Sequence, residues 1–138
     1  MDSAQLRVDS AVSEKVRSHR DLLVWRKAMD LVDLIYDLAE KFPASESHRL
    51  VAQITRAVVS VPANIAEGQA RSTSRDFANF LAIAKGSLME AETLLMIAVR
   101  RGYASETAAS VAFAQITEIS KMLTSLRSRL AARGRKVR

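Results

Sequence analysis

Apolar residues recur along the chain in four long runs of alternating three- and four-residue steps, the spacing of one face of a helix packed in a bundle. In the first run, Val24, Ala28, Leu31, Ile35, Leu38 and Phe42 predict a helix from about Asp21 to Lys41. Asp21 is the expected N-cap, and Phe42-Pro43 closes the helix because a residue before proline avoids the α region. Trp25, the only tryptophan, stands beside this seam. A half-buried flank or subunit contact is expected of it, ahead of base stacking.

The second run is Leu50, Ile54, Ala57 and Val61, continuing at the same spacing to Asn64 and Gly68, with Ser45 the expected cap. Pro62 falls in its middle. A proline there removes a backbone donor and pushes its ring at the carbonyl four residues back, which bends or interrupts a helix. Asn64 is expected to point to the interior or an interface, and with Glu67 to form a cap that restarts the helix. Arg56 on the same helix can anchor a carboxylate across the bundle. Arg56, Ser60, Pro62, Asn64, Glu67 and Gly68 are thus expected to form an architectural motif.

After the polar turn Arg71–Arg75, Ser74 is expected to start the longest helix, which runs to Arg101 and stops at Gly102. Phe77, Leu81, Ala84, Leu88, Ala91, Leu95 and Ala98 form its seam, and Phe80, Ile83, Leu94 and Ile97 a second stripe. So wide an apolar arc requires two neighbouring helices, or one helix and another subunit. Gly86-Ser87 at its centre predicts a close backbone approach by the segment around Pro62. Ser105 caps the fourth helix, whose seam is Ala109, Ala112, Ile116, Ile119, Leu123, Leu126 and Leu130. The expected fold is all-α: an antiparallel up-down-up-down four-helix bundle, kinked at Pro62 in its second helix. Residues 1–20 are read as a flexible leader, 21–132 as the bundle and 133–138 as a basic tail.

Composition adds that 138 residues suffice for one domain with a sizeable core, and that four Gly and two Pro are too few for the turns of a β fold. Cysteine is absent, which excludes disulfides and thiolate metal sites. No signal-peptide core or membrane-length apolar run is present, so a cytoplasmic protein is expected. The net charge of +6 is concentrated at one end. The last six residues, with Arg133, Arg135, Lys136 and Arg138, account for four of those charges, leaving +2 on the other 132 residues.

The polar residues offer little catalytic chemistry. A di-metal carboxylate site needs Glu-x-x-His pairs, and neither His19 nor His48 stands three residues after a glutamate. Glu67, Glu90 and Glu92 remain without histidine, and salt bridges to Arg56 or Lys85 are the expected use of the last two. No nucleophile elbow, phosphate loop or dinucleotide fingerprint occurs. No enzyme activity, metal or cofactor is expected. Basic residues instead gather at the second turn (Arg71, Arg75) and near the C-terminus (Arg127, Arg129, Arg133, Arg135, Lys136, Arg138). In an up-down bundle these share a pole and form a candidate phosphate-contacting surface. Arg100 and Arg101 fall at the other pole.

The stretches Asp21-Leu-Leu-Val-Trp-Arg-Lys-Ala28, Phe42-Pro43, Gln53 to Gly68 and Ala84-Lys-Gly-Ser-Leu-Met-Glu-Ala-Glu92 resemble, in order and spacing, the four-helix-bundle protein family also called the ribosomal-RNA intervening-sequence protein family. The resemblance covers roughly residues 20–130. It implies a ring-like homopentamer of four-helix protomers with no established catalytic residues. Some members of that family are encoded in insertions within large-subunit ribosomal RNA genes, and others stand alone. A related member, the accessory protein of diversity-generating retroelements, is a basic pentamer that works with a reverse transcriptase and nucleic acid. Thr55 stands where many relatives carry a second arginine beside Arg56, lowering the charge expected of that face. The function expected is non-enzymatic, electrostatic binding of RNA or DNA by a homo-oligomer. The alternative is an oligomeric protein–protein adaptor, for example with a reverse transcriptase.

Overall fold

The structure, a computed structural model, describes residues 18–137, with side chains at 18–20 and 22–133. Among the described residues there are four α-helices and no strand: α1 (Leu23–Ala39), α2 (Leu50–Gln69), α3 (Ser74–Arg100) and α4 (Glu106–Val137). Short 3₁₀ turns at His19–Asp21 and Ala44–Glu46 precede α1 and α2. Most of the expected leader lies outside the described residues. The backbone of the basic run 133–137, expected as a separate tail, continues α4 as helix. No helix among the described residues is long and apolar enough to cross a membrane.

All four apolar runs are buried in one core. Ala28, Leu31, Ile35, Ile54, Val61, Ile65, Leu81, Leu88, Leu95, Ile116, Ile119 and Leu123 have no solvent exposure. No polar or charged residue among those described is buried. Helices α1 and α3 each pack on both α2 and α4, so α3 has two helical neighbours, but they do not cover its whole apolar arc: Ile83 and Ile97 of the second stripe stay 52% and 41% exposed. Burial follows the seams because each Leu, Ile or Val removed from water contributes roughly 1.5–3 kcal/mol, more than local propensity can oppose.

Helix ends depart from the sequence reading where burial competes with capping. Leu22, not Asp21, is the N-cap of α1, and no side chain caps it. Leu22 is 1% exposed, and its N–H donates to His19 O at 3.0 Å as the 3₁₀ turn hands the chain to the helix. Helix α1 also stops at Ala39 rather than Lys41, where Phe42 N–H bonds Ala39 O at 3.1 Å and tucks Phe42 into the core. Ser45 lies in the second 3₁₀ turn, so Arg49 is the N-cap of α2, again without a side-chain hydrogen bond. Helix α3 does start at Ser74, and Thr73 caps it, its Oγ1 accepting from Asp76 N–H at 3.1 Å. Ser105 does cap α4, accepting from Ala108 N–H at 3.0 Å.

Gly102 ends α3 as expected. Its φ of +77° is a left-handed conformation that glycine adopts without a Cβ penalty. Tyr103 N–H reaches back to Ala98 O (2.9 Å) and Gly102 N–H to Val99 O (3.0 Å), the paired bonds of a Schellman turn.

Helix α2 runs unbroken through Pro62, so the interruption and restart expected there do not form. The proline forfeits one hydrogen bond, but Val58, Val61 and Ile65 around it are fully buried and hold the segment in place. The close backbone approach expected at Gly86 is also absent: a Cβ there would meet nothing within 4 Å. It occurs at Gly68 instead. A Cβ on Gly68 would lie 2.7 Å from Phe80 Cβ and 3.0 Å from Phe77 Cδ1.

These two glycines should respond oppositely to alanine. Gly68→Ala is expected to lose about 1–3 kcal/mol in urea unfolding, the range for overpacking. Gly86→Ala should gain about 0.5–1 kcal/mol from helix propensity alone. Equal effects at the two sites would contradict the packing described.

Candidate nucleic-acid interface

The polar residues of α2 meet α3 through a short network. Asn64 Nδ2 donates to Ser60 O and to Ser60 Oγ, both at 2.8 Å. Ser60 Oγ in turn lies 2.9 Å from Ser87 Oγ on α3. Asn64 is half-buried, so it stands at the margin of the α2–α3 seam rather than inside the core. Its side chain reaches back one turn toward Ser60, and the Asn64–Glu67 cap expected from the sequence does not form. Ser87, next to the open Gly86, is the residue through which α3 meets the Pro62 region.

Arg56 is exposed and has no ion-pair partner among the described residues, so it anchors no carboxylate across the bundle. Lys85 donates to Thr124 Oγ1 on α4 at 2.7 Å rather than pairing with Glu90 or Glu92. Among the described residues, the one ion pair joining two of the helices is Lys27–Glu118, at 2.7 Å between α1 and α4. Both partners keep partial solvent exposure, and such pairs contribute little. Trp25 is the half-buried flank expected, with His19 edge-on at 5.0 Å between ring centroids.

The basic candidates differ in how free their charge is. Arg71 is exposed, donates to Glu67 Oε1 at 3.1 Å and lies 4.7 Å over the Phe80 ring. Glu67 therefore offsets part of its charge. Arg75 is exposed in the first turn of α3, where the helix end is itself partially positive, and it has no ion pair among the described residues. Arg127 is half-buried, and its Nε is shielded from water without a hydrogen-bond partner. Arg129 donates to Ser125 O at 3.4 Å and to Ser125 Oγ. Arg133 is exposed on α4, four residues on from Arg129 and so on the same helix face. Arg127 lies about 200° around the helix from Arg129, so α4 presents its cations on more than one side. The side chains of Arg135 and Lys136, and all of Arg138, lie outside the described residues.

A constellation at the opposite ends of α2 and α3 escapes sequence reasoning. Tyr103, placed by the Gly102 turn, packs its ring against Phe42 (5.9 Å between centroids) and donates its hydroxyl to Glu46 Oε2 at 2.9 Å. Glu46 Oε1 is 3.9 Å from Arg49 Nε. These residues are 57 and 54 positions apart from Tyr103, and only the return of α3 toward the start of α2 joins them. Among the described residues no group of three or more His, Asp or Glu side chains is placed to hold a metal ion.

A family model described as 23S rRNA-intervening sequence protein matches residues 20–125. Among solved structures, a protein of unknown function from the S23 ribosomal protein family of Bacteroides thetaiotaomicron is similar, at 29% sequence identity and a TM-score of 0.70. The match covers 76% of this chain and 98% of that one. Among curated proteins none matches the sequence.

The Asn64–Ser60–Ser87 network generates a direct test. Asn64→Leu and Ser87→Ala are each expected to cost about 0.5–1.5 kcal/mol, the net worth of a partly buried hydrogen bond. Because both act through Ser60, a double-mutant cycle should show coupling. Strict additivity in thermal or urea unfolding would mean that the network does not hold α2 against α3.

Proposed function

The chain belongs to the 23S rRNA-intervening sequence protein family, and on that premise we propose that it is a non-enzymatic oligomer that binds RNA or DNA electrostatically. The observation that carries this reading is the charge of the C-terminal three-fifths of α4 and beyond. From residue 119 to 138 the chain holds Lys121, Arg127, Arg129, Arg133, Arg135, Lys136 and Arg138 and no acidic residue. Connections of four residues (70–73) and five residues (101–105) turn α2 into α3 and α3 into α4. Such short links favour antiparallel neighbours in an up-down bundle, with α2 bent at Pro62. In that arrangement the end of α4 returns beside the start of α3, and Arg71 and Arg75 join the basic surface. Phosphates are then held by charge neutralisation with counterion release, with little reading of base identity.

Self-association, as a ring-like homopentamer, raises the effective concentration of these contacts. It is supported by a stripe on α1, Trp25, Met29, Val32 and Tyr36, at 4-3-4 spacing. Met29 is 40% and Tyr36 46% exposed, and Val59 on α2 is similarly uncovered. The same uncovered residues support a second reading, an oligomeric adaptor that contacts another protein such as a reverse transcriptase and uses its cations only for solubility.

A gel shift with short RNA and DNA separates the two. The first reading expects binding that weakens steeply with salt, the log–log slope falling by about 0.7–0.9 for each phosphate contact removed. Arg75→Gln, Arg133→Gln and deletion of residues 133–138 should each lower affinity and slope without changing the melting temperature. Retention that is indifferent to salt and to these changes, or no retention at low salt, sinks it. Light scattering checks the assembly, and a monomer at micromolar concentration would count against both readings.

A further inference from the structure

At the end of the bundle formed by the start of α2 and the end of α3, a cleft of about 480 Å³ opens between the helices. Two arginines from different elements line it: Arg49, the N-cap of α2, and Arg101, the C-cap of α3. Both are exposed; Arg101 has no ion-pair partner among the described residues, and Arg49 has only Glu46, at 3.9 Å. Leu50 and Leu94, each 8% exposed, and the more open Ile97 give the cleft apolar walls. Gln53 and the Tyr103–Glu46 pair supply neutral and anionic hydrogen-bonding groups beside them.

The geometry points to a binding site for a nucleotide monophosphate unit. Each part of that ligand meets a different part of the cleft. The guanidinium groups of Arg49 and Arg101 match phosphate oxygens with forked donors. The aliphatic walls and the Tyr103 ring cover a flat heteroaromatic base. The Gln53 amide offers a donor and an acceptor to the base edge, and Glu46 Oε1, whose nearest cation is 3.9 Å away, accepts from an exocyclic amino group. A simple carboxylate would leave Gln53 and Glu46 without a use, and a neutral sugar would leave both arginines unmatched. The volume falls within the roughly 300–1,000 Å³ of small-ligand clefts. The unit can come from a free nucleotide or from the 5′-phosphorylated end of a strand.

This site goes beyond the polyanion surface proposed above and does not depend on it. The cleft lies at the start of α2 and the end of α3, whereas Arg71 and Arg75 lie at the other ends of those helices. Twenty residues of α2 separate them by about 30 Å.

Equilibrium dialysis of the full chain with labelled AMP tests the proposal. Saturable binding is expected at one AMP per chain, weakened at least tenfold in Arg49→Gln and in Arg101→Gln. Arg20→Gln, which removes the same charge in the turn before α1, should leave it unchanged. Adenosine and inorganic phosphate should each compete at least tenfold less well than AMP. Competition by a 5′-phosphorylated tetranucleotide but not its 5′-hydroxyl form assigns the site to strand ends; competition by neither assigns it to free nucleotides. No saturation at millimolar AMP, undiminished binding in the Arg49→Gln/Arg101→Gln double variant, or phosphate competing as well as AMP would overturn the site. Such a failure leaves the gel-shift reading standing, and loss of the gel shift leaves this site standing.

Discussion

The close approach of α2 to α3 is the constraint on which the other features depend. It needs the missing side chain at Gly68, because Phe77 and Phe80 occupy the space a Cβ would take. Farther along the same two helices, Ser60 and Ser87 meet at 2.9 Å, a distance that holds the helices in one register. With that register set, Val58, Val61 and Ile65 face a continuous apolar surface, and the burial they gain offsets the hydrogen bond lost at Pro62. The proline is thus tolerated inside a helix that its neighbours already hold on one face.

Charge and core are cleanly divided. No polar residue among those described is buried, so little of the fold's stability depends on salt or on ionisation. Most of the arginines are left to the surface and to the helix ends; Arg127, half-buried with its Nε shielded from water, is the costlier case. The exceptions are instructive. Glu67 occupies one guanidinium donor of Arg71, and Ser125 fixes Arg129 close to α4, so these two side chains are less free to follow a phosphate than Arg75 or Arg133.

The turn after α3 shows how one local backbone choice reaches distant residues. Gly102 adopts a positive φ, the Schellman bonds reverse the chain, and Tyr103 is delivered against Phe42 and Glu46. Glu46 in turn stands beside Arg49. A single glycine therefore delivers an aromatic ring to the cleft that Arg49 and Arg101 also line.

The sequence by itself determined the four helices, their apolar seams, the stop at Gly102 and the cap at Ser105, because three- and four-residue spacing and local backbone chemistry are written in adjacent residues. It also marked where the basic charge accumulates. Only the tertiary structure decided the rest. Leu22 and Phe42 moved the ends of α1, since burial outweighed the side-chain cap offered by Asp21. Gly68, rather than Gly86, proved to be the point of contact, because which face of a helix meets a neighbour is set by the neighbour. The Ser60–Ser87 contact and the Tyr103 cleft join residues 27 to 57 positions apart. Pairings at that range depend on how whole helices pack, and no local pattern encodes them.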